Sequence, residues 1–326
     1  QAGTLLLSIS EDALARGDRD TAAAYLQRLV DHPSPDVAVP ALMLQARESH
    51  RDGNTRAALQ SYIRVVQSYP DRDEAPEAAY QAGRIYLSGA RYDNAVRALQ
   101  RVIDRYPGST AAASAREPLA QAHMALGHPE QAIAALSGAP SRSARAQTLL
   151  GFAYLQTDQH AAANRAFAAA RRDGNSSMAL AYGMGWAAHH TGRYAQAASY
   201  FAHVADSDHP FAQTAQFEAA RNYQQADQRD AARQAYETYV TRAPSAERAD
   251  EALFEVGRLY YQSGAYDDAG AAMQRLLRSY AGSDERGRAH LVLGNVALQR
   301  SNMDQALDAF DQASALGAAP DSIRDA

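Results

Sequence analysis

The chain has 326 residues and a formal net charge of −5, which gives no reason to expect a nucleic-acid partner. It contains no cysteine, which excludes disulfide bonds, zinc–thiolate sites and thiol catalysis. No apolar run approaches the roughly eighteen residues of a membrane-spanning helix. All 32 basic residues are arginine, and few residues are β-branched, so helix propensity is favourable throughout.

In chain order, the first predicted element is a helical hairpin over residues 5 to 30, with Gly17 at its turn. The segment 32 to 40, HPSPDVAVP, carries three prolines and is predicted to be a rigid connector. Residues 77 to 109 then show two stretches with apolar residues at helical spacing, separated by Gly89 and ended by a Pro-Gly pair. Such a short pair cannot bury both apolar stripes alone, so it needs neighbours of the same kind.

Three columns of residue types repeat along the chain at intervals of 31 to 37 residues. Each repeat has an alanine, a bulky apolar residue four positions after it and a small residue twelve positions before it. A small residue lets two helices approach closely, and the bulky residue fills the adjoining hole. The alanines are Ala22, Ala58, Ala95, Ala132, Ala163, Ala197, Ala232, Ala269 and Ala306; the bulky residues are Leu26, Tyr62, Leu99, Leu136, Phe167, Phe201, Tyr236, Met273 and Phe310; the small residues are Ser10, Ala46, Gly83, Ala120, Gly151, Gly185, Ala220, Gly257 and Gly294.

The rhythm breaks after the fourth repeat, where the run GAPSRSA is followed by an interval of 31 residues instead of 37. We therefore predict units one to four over residues 1 to 137 and an irregular junction over 138 to 146. Units five to nine are predicted over 147 to 316, followed by a frayed tail over 317 to 326.

Small, aromatic, small and bulky residues in this order, with a proline ending several units, resemble the tetratricopeptide repeat. The resemblance covers residues 5 to 316 and implies an all-α fold, a right-handed α-solenoid of about nine helix-turn-helix units. It specifies function less closely, since the motif consists of packing residues, and implies a noncatalytic scaffold for protein–protein interaction. The aromatic position holds Tyr86, Tyr154, Tyr223 and Tyr260, and the prolines are Pro70, Pro107 and Pro244.

The phrases SYPDRDEAPEAAYQAGRIY and DRYPGSTAAASAREPLA are similar to the bacterial cell-envelope branch of this family. That branch includes outer-membrane-assembly lipoproteins and the Tol-associated coordinator of cell division. The similarity implies a periplasmic or otherwise exported location in a bacterium.

One stripe of the first helix in each unit lies about 100° from the stripe that packs in the core. In the family that the chain resembles, this stripe lines the concave groove. Large aromatic residues and arginines on it are the residue types that dominate binding hot spots. The groove candidates are Arg47, Tyr80, Arg84, Phe152, Tyr182, Trp186, Phe217, Arg221, Phe254 and Arg258.

A structural alternative stays open for every one of these residues. The aromatic side chains could be partly buried between adjacent first helices, and the arginines could pair with Glu77, Glu251 or Glu255. The family's clamp of lysines and asparagines for a peptide carboxylate is not carried over, because the chain has no lysine. Arginine could hold a carboxylate by two hydrogen bonds instead.

Catalytic and metal-binding motifs are absent from the sequence. His203, Asp206, Asp208 and His209 could supply metal ligands, but a polar loop between repeats explains them as well. We therefore predict no catalytic residue, no cofactor and no metal.

Two further functions remain open beside peptide or partner-helix binding. Envelope solenoids of this kind also resemble the periplasmic parts of exopolysaccharide exporters, so the partner could be a polysaccharide. The chain could also stack end to end with itself, since the ninth unit ends on the apolar residues Phe310, Ala313 and Leu316.

Overall fold

The computed structural model describes residues 2 to 138 and 143 to 318. These residues form eighteen α-helices and no β-strand, which confirms the predicted all-α fold class. The chain divides into two compact units, Gln1–Gln159 and His160–Ala326. Residues 139 to 142 of the predicted junction and 319 to 326 of the predicted tail lie outside the described residues, so both of those assignments stay predictions.

In the first unit, successive helices pack against each other along the chain. Its core is built from buried aliphatic and alanine side chains contributed by neighbouring helices. The helices are α1 (Ala2–Ala15), α2 (Arg19–Leu29), α3 (Pro35–Arg51), α4 (Thr55–Ser68), α5 (Ala75–Ser88), α6 (Tyr92–Arg105), α7 (Thr110–Ala125), α8 (Pro129–Ser137) and α9 (Ala144–Gln156).

The second unit follows the same plan with more aromatic residues in its core. Its helices are α10 (His160–Arg172), α11 (Met178–His189), α12 (Tyr194–Ala205), α13 (Ala212–Gln225), α14 (Arg229–Arg242), α15 (Ala249–Gln262), α16 (Tyr266–Ser279), α17 (Arg286–Gln299) and α18 (Met303–Ala315).

In four hairpins, the small residue and the bulky residue of the repeated columns meet where the two helices cross. All nine column alanines are at most 1% exposed. A Cβ added at Gly83 would lie 2.6 Å from Cδ2 of Leu99, and one at Gly257 would lie 2.6 Å from Cε of Met273. The small residue of the first helix therefore faces the bulky residue of the second, because a larger side chain would separate the helices.

A second regularity lies five residues before each column alanine, where the chain turns between the two helices. Every residue at this position has a positive φ, between 54° and 80°. Glycine adopts this left-handed conformation without steric cost, whereas other residues do not. The nine turn residues are Gly17, Gly53, Ala90, Gly127, Asp158, Gly192, Asp227, Gly264 and Ser301.

The predicted connector at residues 32 to 40 is wrong in its second half, because α3 begins at Pro35 and contains Pro40. Proline is well tolerated at the first position of a helix, since its N–H group would have no partner there. The side chains of Val37 and Val39 are buried in the core of the first unit. Their burial outweighs the one backbone hydrogen bond that Pro40 cannot donate.

Candidate functional site

The ten predicted groove residues all lie on the first helix of a hairpin. Arg47, Tyr80, Arg84 and Phe152 belong to the first unit, and the other six belong to the second. Their exposure and their partners differ widely.

Phe217 and Phe254 do not offer their rings to a ligand, which corrects the prediction for these two residues. Each is only 1% exposed. The guanidinium of Arg248 lies 3.6 Å from the ring centroid of Phe217, and that of Arg288 lies 4.2 Å from the ring centroid of Phe254. The arginine covers the ring from the next first helix along the chain, so both rings belong to the core.

Arg221 is already paired with a carboxylate of its own helix. Its Nη1 lies 3.2 Å from Oε2 of Glu218, which is nearly fully buried. Arg248 also donates to Glu218, at 3.3 Å, and holds both oxygens of Glu251 at 2.8 and 2.9 Å. These contacts connect α13 to α15 and compensate the buried carboxylate.

Arg258 is paired in the same way, one repeat later. Its Nη2 lies 2.6 Å from Oε2 of Glu255, and both side chains are largely buried. Gln224 donates to the same oxygen at 3.0 Å. The alternative that the arginines pair with Glu77, Glu251 or Glu255 is therefore confirmed for Arg258. Arg221 also has a structural partner, but it is Glu218, which the alternative did not name.

Arg47 and Arg84 occupy the equivalent positions in the first unit, on α3 and α5, and both are exposed. Within the described part of the chain, neither forms an ion pair. The guanidinium of Arg84 lies 5.7 Å from the ring centroid of Tyr80, which is half-buried. We call Arg47, Tyr80 and Arg84 the Arg47–Arg84 surface.

A buried tyrosine hydroxyl connects the two arginines electrostatically. Burial raises the pKa of Tyr62, while the positive charges of Arg47 and Arg84 act in the opposite direction. Glu77 is the acidic group near the same hydroxyl, and it accepts a hydrogen bond of 2.6 Å from Gln81. The charges that act on Tyr62 are therefore two guanidinium groups and one carboxylate.

The sequence contains the signal that separates the two pairs of arginines. Three residues before Arg221 and Arg258 stands a glutamate, within reach across one helical turn. Three residues before Arg47 and Arg84 stand Leu44 and Gln81. The four arginines look equivalent only when this neighbouring position is ignored.

The only tryptophan belongs to an aromatic cluster in the second unit. The ring centroid of Trp186 lies 6.2 Å from that of Tyr182, edge to face, and 5.9 Å from that of His190, stacked. Phe211, an exposed residue that the sequence analysis did not select, stacks on Tyr182 at 4.7 Å. We call these four residues the Trp186 cluster. Phe152, in the first unit, is half-buried.

The described residues offer neither a metal site nor a membrane-spanning helix. No group of three or more histidine, aspartate and glutamate side chains is arranged to hold a metal ion there. Asp206 instead pairs with Arg242 at 3.8 Å, and His209 accepts a hydrogen bond from the backbone of Phe211. No helix among these residues combines the length and apolar character needed to cross a membrane.

Hairpins that repeat with one crossing geometry and one turn conformation define a helical-repeat protein. Sequence models of the tetratricopeptide repeat match residues 77–109, 148–210 and 217–284, about half of the chain. The chain belongs to the tetratricopeptide repeat family. Repeats of this family are protein–protein interaction modules, and the fold is typical of noncatalytic scaffolds.

A solved structure agrees with this fold. The C-terminal part of a tetratricopeptide-repeat protein from Cytophaga hutchinsonii is 17% identical, with a TM-score of 0.57 over 75% of this chain and 97% of that chain. A tetratricopeptide repeat protein from Parabacteroides merdae is 13% identical, covering 88% and 96% of the two chains with a TM-score of 0.43. PilF of Pseudomonas aeruginosa is 22% identical, covering 65% and 94% with a TM-score of 0.46. No curated protein sequence gives a significant match.

Proposed function

We propose that this protein is a noncatalytic scaffold that binds an extended peptide, or a helix of a partner, through the Arg47–Arg84 surface. The observation that carries the proposal is that Arg47 and Arg84 are exposed and have no acidic partner among the described residues. An uncompensated guanidinium pair favours carboxylate groups, because each can donate two hydrogen bonds to one carboxylate. The preferred ligand is therefore an acidic peptide.

The second unit supports this choice by contrast. A carboxylate of a ligand would have to displace Glu218 from Arg221 or Glu255 from Arg258, and the displaced glutamate would then lie largely buried with one donor fewer. Such an exchange is unfavourable. The arginines of the second unit are therefore better explained as part of the fold.

A peptide library displayed on phage tests the proposal without knowledge of the natural partner. The wild-type chain should enrich peptides rich in aspartate and glutamate. The double variant Arg47→Gln, Arg84→Gln should bind the enriched peptides about tenfold or more weakly, since charge-assisted hydrogen bonds are lost.

Arg221→Gln is the matched control, because it removes a guanidinium that already has a partner. It should leave the selected peptides unchanged. Acidic enrichment that survives the double variant, or that Arg221→Gln abolishes equally, would refute the role of the Arg47–Arg84 surface.

We propose the Trp186 cluster as a separate, apolar contact surface of the second unit. Tyr182 and Trp186 are half-buried and so present part of each ring, and Phe211 is exposed beside them. Trp186→Ala should cost a peptide complex at least about 1 kcal/mol while helix content is unchanged. Unchanged affinity in a calorimetric titration would exclude the cluster from binding.

Self-association is a second candidate, supported by the apolar residues of the last helix. Met303, Leu307 and Leu316 are 61%, 56% and 44% exposed on or next to α18. Leu5 on α1 is 63% exposed. Light scattering over a range of concentrations tests this candidate: the apparent mass should rise with concentration for the wild type and stay constant for Leu307→Glu.

We also propose a bacterial envelope location, supported by the style of the repeats at residues 68 to 120. Fractionation of the source cells tests it directly. Recovery of the protein in the cytoplasmic fraction alone would exclude that location.

A further inference from the structure

A cleft of about 280 Å³ lies between α4, α5 and α6 of the first unit. Its floor is apolar, with Ile63, Val66, Ala82 and Tyr86 among the lining residues, and Arg97 and Arg101 line it beside them. Ala82 and Arg84 are two positions apart on α5, which places them about 200° apart around the helix. The cleft is therefore a different surface from the Arg47–Arg84 surface.

The charges of the cleft are not compensated. Arg97 donates a hydrogen bond of 2.7 Å to the amide oxygen of Asn94, a neutral partner. Arg101 has no hydrogen bond or ion pair within the part of the chain that the structure describes. Both arginines are exposed, so the mouth of the cleft carries positive charge and is open to solvent.

The preceding repeat shows what is missing. Arg64 stands six residues after the column alanine Ala58, as Arg101 stands six residues after Ala95. Arg64 pairs with Asp31 at 2.7 Å, and Asp31 stands nine residues after its own column alanine. For Arg101, the corresponding residue of the preceding repeat is Gln67, which stands nine residues after Ala58 and also lines the cleft.

A neutral amide therefore replaces the counter-ion of Arg101. An exposed guanidinium without a counter-ion next to an apolar floor suits a ligand that has an apolar group beside an acidic group. Arg64, the equivalent arginine of the preceding repeat, needs no acidic ligand, because Asp31 already supplies the carboxylate.

We propose that this cleft binds one bulky apolar side chain of a partner's peptide, flanked by acidic residues that pair with Arg97 and Arg101. The volume is just below the roughly 300 Å³ at which pockets for whole small molecules begin, so it accommodates a single side chain. The open mouth lets a peptide chain enter and leave. This interaction goes beyond the peptide binding proposed for the Arg47–Arg84 surface and does not depend on it.

Methyl NMR tests the proposal on the full chain. The sequence has six isoleucines, so selective labelling of the δ1 methyl groups gives six signals. Ile63 lines the cleft, while Ile85 and Ile103 do not and serve as internal references. The probe is the peptide acetyl-Glu-Asp-Phe-Glu-Asp-amide, whose phenylalanine ring should shift the Ile63 signal selectively.

Two control peptides separate the two parts of the recognition. Acetyl-Glu-Asp-Ala-Glu-Asp-amide lacks the bulky side chain, and acetyl-Gln-Asn-Phe-Gln-Asn-amide lacks the charges. Each should bind more weakly than the probe. Octanoate tests whether a free amphipathic anion is the preferred occupant instead.

Variants of exposed or half-exposed residues test the charges without changing the core. Arg101→Gln should lower the affinity for the probe about fivefold, the effect of losing one exposed ion pair. Gln67→Asp introduces a counter-ion like Asp31 and should lower the affinity for the probe by a similar factor. Unchanged positions of the Ile85 and Ile103 signals in the free variants verify that both fold as the wild type does.

Several results would overturn the proposal. An Ile63 signal that does not respond to the probe at millimolar concentration would exclude binding. If the Ile63 signal responded equally to the probe and to the alanine peptide, the attraction would be nonspecific. The same would follow if wild type and Gln67→Asp responded equally to the probe. A response to octanoate alone would replace the peptide with a small amphipathic anion. Arg47→Gln with Arg84→Gln should leave the Ile63 response intact, which separates this inference from the proposed function.

Discussion

The turn of the third hairpin contains a residue that the local backbone disfavours. Ala90 has a φ of 54°, in the left-handed region. Its amide donates to the carbonyl of Leu87, and the amide of Arg91 donates to that of Tyr86 at 2.9 Å, which closes the end of α5. The preceding residue, Gly89, has an ordinary φ of −86°. The glycine of this turn, Gly89, therefore stands one position before the residue that adopts the left-handed conformation.

Ala90→Gly should increase the free energy of unfolding of the first unit by about 0.5–1 kcal/mol. The left-handed conformation costs an L-residue about 1–2 kcal/mol, and glycine avoids this cost. Part of the gain, about 0.5–1 kcal/mol, is lost because glycine is more flexible in the unfolded chain.

Gly53→Ala is the matched variant with the opposite sign. Gly53 occupies the same turn position one repeat earlier, with a φ of 79°, and an added Cβ would meet nothing within 4 Å. It should lose about 0.5–1 kcal/mol, because the strain of the left-handed conformation exceeds the gain from a less flexible unfolded chain. Gly89→Ala is the neutral control, because its Cβ would lie 3.4 Å from the carbonyl oxygen of Ile85.

Urea unfolding followed by circular dichroism measures the three variants, and hydrogen exchange of the Arg91 amide reports on the turn itself. Exchange of this amide should slow in Ala90→Gly, because the hydrogen bond to Tyr86 is stabilised. A loss of stability in Ala90→Gly, or no loss in Gly53→Ala, would refute the reasoning from φ.

Three further predictions concern packing and charge. Gly83→Ala should destabilise the first unit by about 1–3 kcal/mol in urea unfolding, because its Cβ would lie 2.6 Å from Leu99. Arg248→Ala should cost about 2 kcal/mol in the unfolding of the second unit, since the buried Glu218 loses a donor and an aromatic ring is uncovered. Burial raises the pKa of Glu285 above its ordinary value of 4.5. The folded state therefore holds this proton more tightly than the unfolded chain. The contribution to the free energy of unfolding is complete below pH 4.5 and is lost as the pH rises through the folded pKa. Glu285→Gln should remove that part of the pH dependence in parallel urea titrations.

Matched controls exist for each of these changes. Gly108→Ala adds a methyl group where nothing lies within 4 Å and should change stability little. Arg229→Ala breaks an exposed pair with Asp227 and should cost at most about 1 kcal/mol. Glu247→Gln, at an exposed position, is the control variant in the parallel urea titrations. If the control variants changed stability as much as the tested variants, the role assigned to burial would be contradicted.

Local packing rules explain why the hairpins could be predicted from the sequence. The small and bulky residues of one repeat, such as Gly83 and Leu99, are always sixteen positions apart, so a contact within one hairpin is visible in the chain order. The left-handed turn position is equally local, although Ala90 conceals it when only glycines are searched for. The absence of a glutamate three residues before Arg84, one helical turn away, can also be read from the sequence.

Contacts between hairpins were decided only by the tertiary structure. Arg248 covers Phe217 from 31 residues away, so nothing in the sequence near Phe217 distinguishes a buried ring from an exposed one. The cleft beside Arg101 likewise depends on which residue of the preceding repeat lines it. The sequence by itself determined the helices, their pairing and the family, because those depend on side chains that recur at fixed spacing. The structure alone decided which rings and charges remain available to a partner, because burial and charge compensation depend on residues that meet across repeats.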